Sequence, residues 1–310
     1  MNNRRPVAAI GIDVGGTKIA GAVVLWPSGE VLFPFSKATR PERGGEAVLA
    51  TTIEMIRALL ASTRAQNIQV QGAGVGVAEL VDAHGNVTSA QTIDWQHIPV
   101  RDRLSEIYPT EIESDVRAGA LAEARFGAGQ GLSTFAYVTV GTGISSCFVQ
   151  DGRPLTGAHG NALVLASSAL STVCTACGKD LHPVLEEFAS GPAIAARYGS
   201  PCEHVFEAAE SGDARALHIL ETAGKALGVS VAFLVNILDP HAVVVGGGLG
   251  LAGGSYWDAF VTSAREHIWS PATRTLPFLK ASLGVHAGVV GAAAKIFLSH
   301  PVLQEEIQSA

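Results

Sequence analysis

Apolar residues crowd positions 8–12 and 19–24 on either side of a polar interval, Asp13-Val14-Gly15-Gly16-Thr17-Lys18, and this pattern predicts a β-hairpin with a glycine-bearing turn. A third strand is expected near Val31-Leu32-Phe33. Val48, Ile53, Ile56 and Leu59-Leu60 then recur at helical spacing, predicting a helix from about 45 to 64. The run 73–77 reads as a buried strand, and 108–113 as another that ends at Ser114-Asp115. A helix rich in alanine and leucine follows over 116–125. Residues 126–131 then break the pattern with three glycines and read as a hinge. Beyond it the opening motif returns: strand 135–140, the turn Gly141-Thr142-Gly143, strand 144–150. Helices are expected at 184–198, 202–211 and 213–237. A strand at 242–245 runs into Gly246-Gly247-Gly248, and a closing helix covers 287–300. The fold class that follows is α/β, two half-domains of similar build with a cleft between them.

Composition narrows the function classes. The 310 residues are 47% hydrophobic and 16% charged, which fits a globular enzyme with full cores. A net charge of −7 and the absence of a basic run argue against a nucleic-acid partner. No uninterrupted apolar stretch reaches the roughly 18 residues of a membrane span, so no membrane partner is expected. Four cysteines at irregular spacing do not make a disulfide framework, and the expected location is cytoplasmic.

The glycine turns carry the candidate chemistry. Backbone amides in a turn such as Gly15-Gly16 can form an anion nest, Thr17 adds a hydroxyl, and the lone Asp13 suits a hydrated Mg²⁺. The spacing of a Walker loop is absent. A ligand-free tight hairpin would show the same pattern. Gly141-Thr142-Gly143 repeats this logic, and Gly246-Gly247-Gly248 empties from a buried strand, where α/β proteins bind nucleotides. A structural strand-to-helix turn would also look that way. Asp115 stands at a strand-to-helix join. An acid in a first helical turn stays ionised and can accept a hydroxyl proton, although a plain helix-end charge occupies the same position. Phosphoryl transfer needs little beyond positioned phosphates, Mg²⁺ and a base aimed at the acceptor oxygen.

These residues, in this order, resemble the ROK family of sugar kinases within the actin-like (ribonuclease H-like) ATPase fold. The resemblance runs from about Ala9 to His300. It is carried by Asp13-Val14-Gly15-Gly16-Thr17-Lys18, Ser114-Asp115, Gly141-Thr142-Gly143, Gly157-Ala158-His159-Gly160-Asn161-Ala162, Ser190-Gly191 and Gly246-Gly247-Gly248. It implies that ATP and Mg²⁺ are used, that Asp13 holds the hydrated Mg²⁺ and that Thr17 and Thr142 touch phosphates. It further implies that Asp115 is the base and that the third glycine run lies near adenosine. A smaller domain would span 1–118 plus 294–310 and a larger one 119–293. The resemblance also suggests a homodimer.

The chain departs from the family at the sugar end. After Asn161-Ala162 the family continues Gly-Glu-Ile-Gly-His, whose Glu and His hold the sugar; here the residues are Leu163-Val164-Leu165-Ala166-Ser167. The usual Asn before the catalytic Asp is Ser114. Ala78-Glu79 replaces Pro-Gly, and Asp94-Trp95 occupies the segment leading to the sugar site. The substrate-binding set expected is therefore Glu79, Asp94, Ser114 and Asn161. Two new carboxylates would suit the ammonium of an amino sugar such as kanosamine; the alternative is that Glu79 is a solvated loop charge and Asp94 a turn residue. Cys174, Cys177 and His182 offer three zinc ligands at tolerable spacing, but the family His falls at Ser167, and a metal-free loop is the alternative. The remaining histidines lack paired spacing, with His159 the one inside a site motif. The expected activity is ATP-dependent phosphorylation of a primary hydroxyl of a small sugar-like molecule. A plain glucokinase, a non-catalytic sugar binder and an actin-like kinase for an acyl or polyol substrate are the rivals. A ROK-type repressor would need a DNA-binding segment ahead of the hairpin, for which about a dozen residues leave no room.

Overall fold

The computed structural model describes residues 7–173 and 177–299, which form two compact units. The first holds the chain up to Gly131, residues 152–162 and the segment from Ser282 onward; the second holds 132–151 and 163–281.

The first unit is built on β1 (Val7–Val14), β2 (Lys18–Trp26), β3 (Val31–Ala38), β4 (Gln69–Val77) and β5 (Thr110–Ser114), in the order β3-β2-β1-β4-β5. The first three strands form an antiparallel meander, and β4 and β5 run parallel to β1. Alternation along β1 assigns its faces. Ala8, Ile10, Ile12 and Val14 enter one core with Val48, Met55, Ile56 and Leu59 of α1 (Gly45–Ala65). A short helix, α2 (Val100–Ser105), closes this side through Val100 and Leu104. Ala9, on the other face, packs with Ala122 of α3 (Asp115–Phe126) and with Val289, Ala293 and Phe297 of the closing helix (Ala287–Ser299). Asp13 shares the parity of Ala9 and faces those two helices. In register, Val14 lies beside Val77 and Val77 beside Ser114, so Gly15, Ala78-Glu79 and Asp115 all follow immediately at one edge of the sheet.

The second unit repeats that build. Its strands β6 (Thr134–Val140), β7 (Ile144–Gln150), β8 (Ala242–Gly246) and β9 (Phe278–Lys280) run in the order β9-β8-β6-β7, with β6–β7 antiparallel and the others parallel. Around them lie α4 (Leu185–Ala189), α5 (Gly191–Tyr198), α6 (Cys202–Glu210), α7 (Ala214–Leu238), α8 (Gly248–Ala252) and α9 (Gly254–His267). The small residue Gly228 lets α7 approach α9 closely, since a Cβ there would stand 2.6 Å from the Phe260 carbonyl oxygen. Among the described residues α7 is the one helix long and apolar enough to cross a membrane, and 61% of its most apolar window is buried inside the protein.

Three expectations change. The helix expected over 184–198 is two helices, because Ser190 is extended and its hydroxyl caps α5 at the Ala193 N–H, 3.4 Å away. The boundary between units falls at Gly131 rather than at 118, and 282–293 belongs with the first unit. The reason is that α3 and the closing helix, hereafter α10, pack backbone to backbone, with the Ala118 carbonyl filling the place of a Gly291 side chain. Neither α2 nor α9 was expected from periodicity, although Tyr256, Ala259, Phe260, Ser263 and Ala264 of α9 do recur on one buried face.

Candidate active site

The first glycine turn closes with the Gly15 N–H donating to the Lys18 carbonyl at 3.1 Å. No left-handed backbone occurs at Gly15 or Gly16. At position 16 a Cβ would meet Thr92 Cγ2 at 2.7 Å, so the Thr92 methyl lies close against this glycine. From the other side the buried Thr39 donates its hydroxyl to the Gly15 carbonyl at 2.6 Å, and its N–H to the Thr17 carbonyl at 3.0 Å. The side chains of Thr17 and Lys18 are exposed.

Two carboxylates meet beside this turn. Asp13 lies against the N-terminus of α10, where a Gly288 side chain would overlap its carboxylate, 2.6 Å from Cγ. Burial pushes the Asp13 carboxyl up, and the Lys18 ammonium offsets part of the rise. Asp115 opens α3, and its Oδ1 accepts from the Val116 N–H at 2.7 Å. Its carboxyl is pushed up to about 7, first by burial and then by the negative charge of Asp13; Glu79 adds to the rise, while the Val116 N–H and Arg117 oppose it. Helix N-termini favour both anions. Two mutually repelling carboxylates at one sheet edge are the donor chemistry a hydrated divalent ion fits. Next to Asp115, the Ser114 hydroxyl is buried and has no hydrogen-bond partner, an orphan of the kind a ligand satisfies.

Glu79 and Asp94, expected as substrate carboxylates, differ in the structure. Glu79 is buried, and its carboxylate accepts from the Ser89 hydroxyl and from the N–H groups of Gln91 (3.0 Å), Thr92 (2.5 Å) and Ile93 (2.7 Å). It is fully occupied by its own loop. Asp94 is exposed, between the buried Ile93 and Trp95.

A buried charge chain that periodicity does not reveal supports the neighbouring loops. Lys295 of α10 donates to Glu113 at 2.8 Å, Glu113 accepts from Arg117 Nε at 2.5 Å, and Arg117 donates to the carbonyls of Val81 (2.6 Å) and Gly160 (2.7 Å). Arg117 and Glu113 are about 5% exposed each. The two segments so joined line a cavity of 390 Å³ through Asp82, His84, Thr88, Ala158, His159 and Asn161. The Asp82 carboxylate is engaged within its hairpin, accepting from the N–H groups of His84 and Asn86 and from Asn86 Nδ2. Asn161 is exposed. An acid and a base four residues apart around Ser114-Asp115 were the available sequence signal for Glu113 and Arg117.

In the second unit the motifs also converge. Gly141 donates to the Gly143 carbonyl at 2.9 Å, and its own carbonyl accepts from Gly191 at the start of α5, again at 2.9 Å. Glu186 Oε2 accepts from the Ile144 N–H at 2.7 Å and takes the space of a Gly143 side chain. Gly247, left-handed at φ 80°, packs on the backbone of Val140, bringing Gly246-Gly247-Gly248 beside the turn. Thr142 is exposed.

The proposed zinc set is only partly within the described residues. Cys174 lies outside the described residues; Cys177 and His182 are exposed, and among the described residues no three metal-ligating side chains gather. Ser167, at the family His position, donates its hydroxyl to the Val164 carbonyl at 3.0 Å instead.

Two units of one build, each with a glycine-bearing hairpin turn and a strand edge that collects acidic or glycine residues, define the actin-like ATPase fold in its sugar-kinase form. The chain belongs to the ROK family, whose model matches residues 9–297. It is 28% identical to the glucokinase of Halalkalibacterium halodurans, over 91% of this chain and 92% of that protein. Among solved structures it is similar to the ROK hexokinase of Thermus thermophilus, with 30% identity, a TM-score of 0.78 and coverage of 94% and 98% of the two chains. A ROK-family glucokinase from Streptomyces griseus, solved with glucose and AMPPNP, matches at 30% identity and a TM-score of 0.76 over 92% and 98%. The protein is an ATP-dependent carbohydrate kinase.

Proposed function

We propose that the chain transfers the γ-phosphoryl group of ATP to a primary hydroxyl of a sugar-like acceptor, with Asp115 as general base. The supporting observation is the placement of Asp115 beside the orphaned Ser114 hydroxyl, at the strand edge that also carries the first phosphate turn. The Asp115 carboxylate accepts the acceptor's hydroxyl proton as that oxygen bonds to the γ-phosphorus; the bond from phosphorus to the leaving oxygen breaks and ADP departs. Ser114 holds an acceptor hydroxyl. Thr17 in the first unit and Thr142 in the second supply phosphate contacts with the amides of their turns. Mg²⁺, held through water by Asp13, would neutralise phosphate charge when bound.

The acceptor is read from the carboxylates left free. Glu79 is occupied, so an amino sugar such as kanosamine keeps Asp94 as the one of the two expected carboxylates available to its ammonium. A neutral hexose needs neither, which favours glucokinase activity as the second reading. ADP release with Mg-ATP over glucose, N-acetylated hexosamines, free amino sugars and cyclitols separates them, with Asp115→Asn as control. Turnover lost in Asp115→Asn supports the mechanism. Preference for free amino sugars supports the first acceptor, and preference for glucose the second. We further read the chain as a homodimer, supported by an exposed apolar face of α7, where Phe233 and Ile237 are 64% and 61% exposed, with Trp269 at 83%.

A further inference from the structure

We propose that Glu79 is a positioning residue for nucleotide binding: by gathering the 89–93 loop it presses Thr92 against Gly16 and so sets the first phosphate turn. This rests on the reading that the Gly15-Gly16 turn holds the phosphates of ATP.

Three successive N–H groups, those of Gln91, Thr92 and Ile93, point at one buried carboxylate, together with the Ser89 hydroxyl. Such convergence imposes the curvature of the loop. Two residues on, the indole N–H of the fully buried Trp95 donates to the Gly45 carbonyl at 2.9 Å, which anchors the other end. Between these anchors Ile93 points into the core, while Gln91, Thr92 and Asp94 lie outside. The Thr92 methyl is left against Gly16, close enough that a Cβ at 16 would meet it at 2.7 Å.

The turn is therefore braced from two sides. Thr39 acts through direct hydrogen bonds to Gly15 and Thr17. Thr92 acts through a methyl contact whose position depends on a single carboxylate. Glutamine at position 79 would offer one accepting oxygen and turn an amide N–H toward other donors, so the loop would lose part of its anchor.

The test measures binding of a non-hydrolysable ATP analogue with Mg²⁺ by calorimetry, alongside steady-state kinetics, in the full chain. The variants are Glu79→Gln, Thr92→Ser and the pair; serine keeps the hydroxyl and removes the methyl. At pH 8.5, where Asp115 is ionised with or without the Glu79 charge, Glu79→Gln is expected to weaken analogue binding and raise the KM for Mg-ATP by about tenfold, with kcat and acceptor KM changed less than about threefold. Thr92→Ser should do the same to a smaller extent, and the double variant should be no worse than Glu79→Gln, since both act on one path. Unchanged nucleotide affinity in a folded Glu79→Gln, or additive losses in the double variant, would overturn the proposal. If Glu79→Gln does not fold, Thr92→Ser decides alone, and normal analogue affinity there overturns it. Failure of the unmodified chain to bind the analogue would overturn the kinase site itself, and this proposal with it.

Discussion

Asp115→Asn should make the protein inactive and more stable at once. In the fold the carboxyl of Asp115 is pushed from its ordinary 3.8 to about 7 by burial, with Asp13 and Glu79 adding repulsion. Between those two pH values the folded state binds a proton that the unfolded chain releases. Stability therefore falls as pH rises through this window, and the whole penalty is present above about pH 7. A rise of about three pH units corresponds to a ceiling of about 4 kcal/mol. Part of the side chain still meets solvent, which reduces the expected gain on removing the charge to about 1–3 kcal/mol. At about 3 °C per kcal/mol, this is a rise in Tm of ~3–9 °C. The assay is thermal unfolding of parent and variant at pH 8.5 and pH 5.0, without nucleotide. The gain should be full at the higher pH and about a third of that at the lower, because most of the linkage window lies above pH 5. In parallel, kcat should fall by about 10²–10⁴, and activity of the parent should decline below about pH 7 as the base takes up its proton. A variant no more stable than the parent at pH 8.5, or equally stabilised at both pH values, would refute the buried-charge reasoning. Retained turnover would refute the assignment of the base.

Gly288→Ala should weaken Mg-ATP binding by about tenfold or more while leaving the fold intact, since its Cβ overlaps the Asp13 carboxylate and forces it to turn away; calorimetry with the non-hydrolysable analogue reads this directly. Arg117→Met should destabilise by about 3 kcal/mol, because the buried Glu113 loses its guanidinium partner and the carbonyls of Val81 and Gly160 lose their donor, while Lys295 remains on Glu113 and limits the loss; chemical denaturation measures the loss, and a change under ~1 kcal/mol would show that water replaces the guanidinium. Phe233→Asp should convert a dimer to monomer in light scattering without loss of Tm per chain, as the side chain stands outside the core; an unchanged mass would remove this face of α7 from the interface.

Most elements were legible along the chain, because their signals are local. Alternation in 8–14 and helical spacing in 45–65 each arise from one buried face, and the observed β1 and α1 follow them. The helix starting at Asp115 and the strand ending at Gly246 could be read for the same reason. The break at Ser190 could not, since it depends on a cap and on Gly191 bonding to Gly141, about fifty residues earlier in the chain. The approach of Thr92 to Gly16 was equally hidden, since it joins residues 76 positions apart in the chain.

The order of apolar and glycine segments was enough to specify the α/β class, the repeated hairpins and the acids at strand ends, since each follows from backbone geometry over a few residues. Folding alone decided what those acids do. Glu79 and Asp115 look alike as isolated carboxylates after a strand. One meets four donors from its own loop and is engaged. The other meets one amide and the charge of Asp13, and keeps a raised affinity for a proton. A carboxylate's role is set by the dielectric, donors and charges around it, and the groups surrounding Asp115 come from positions 13, 79 and 116–117, brought together at one sheet edge.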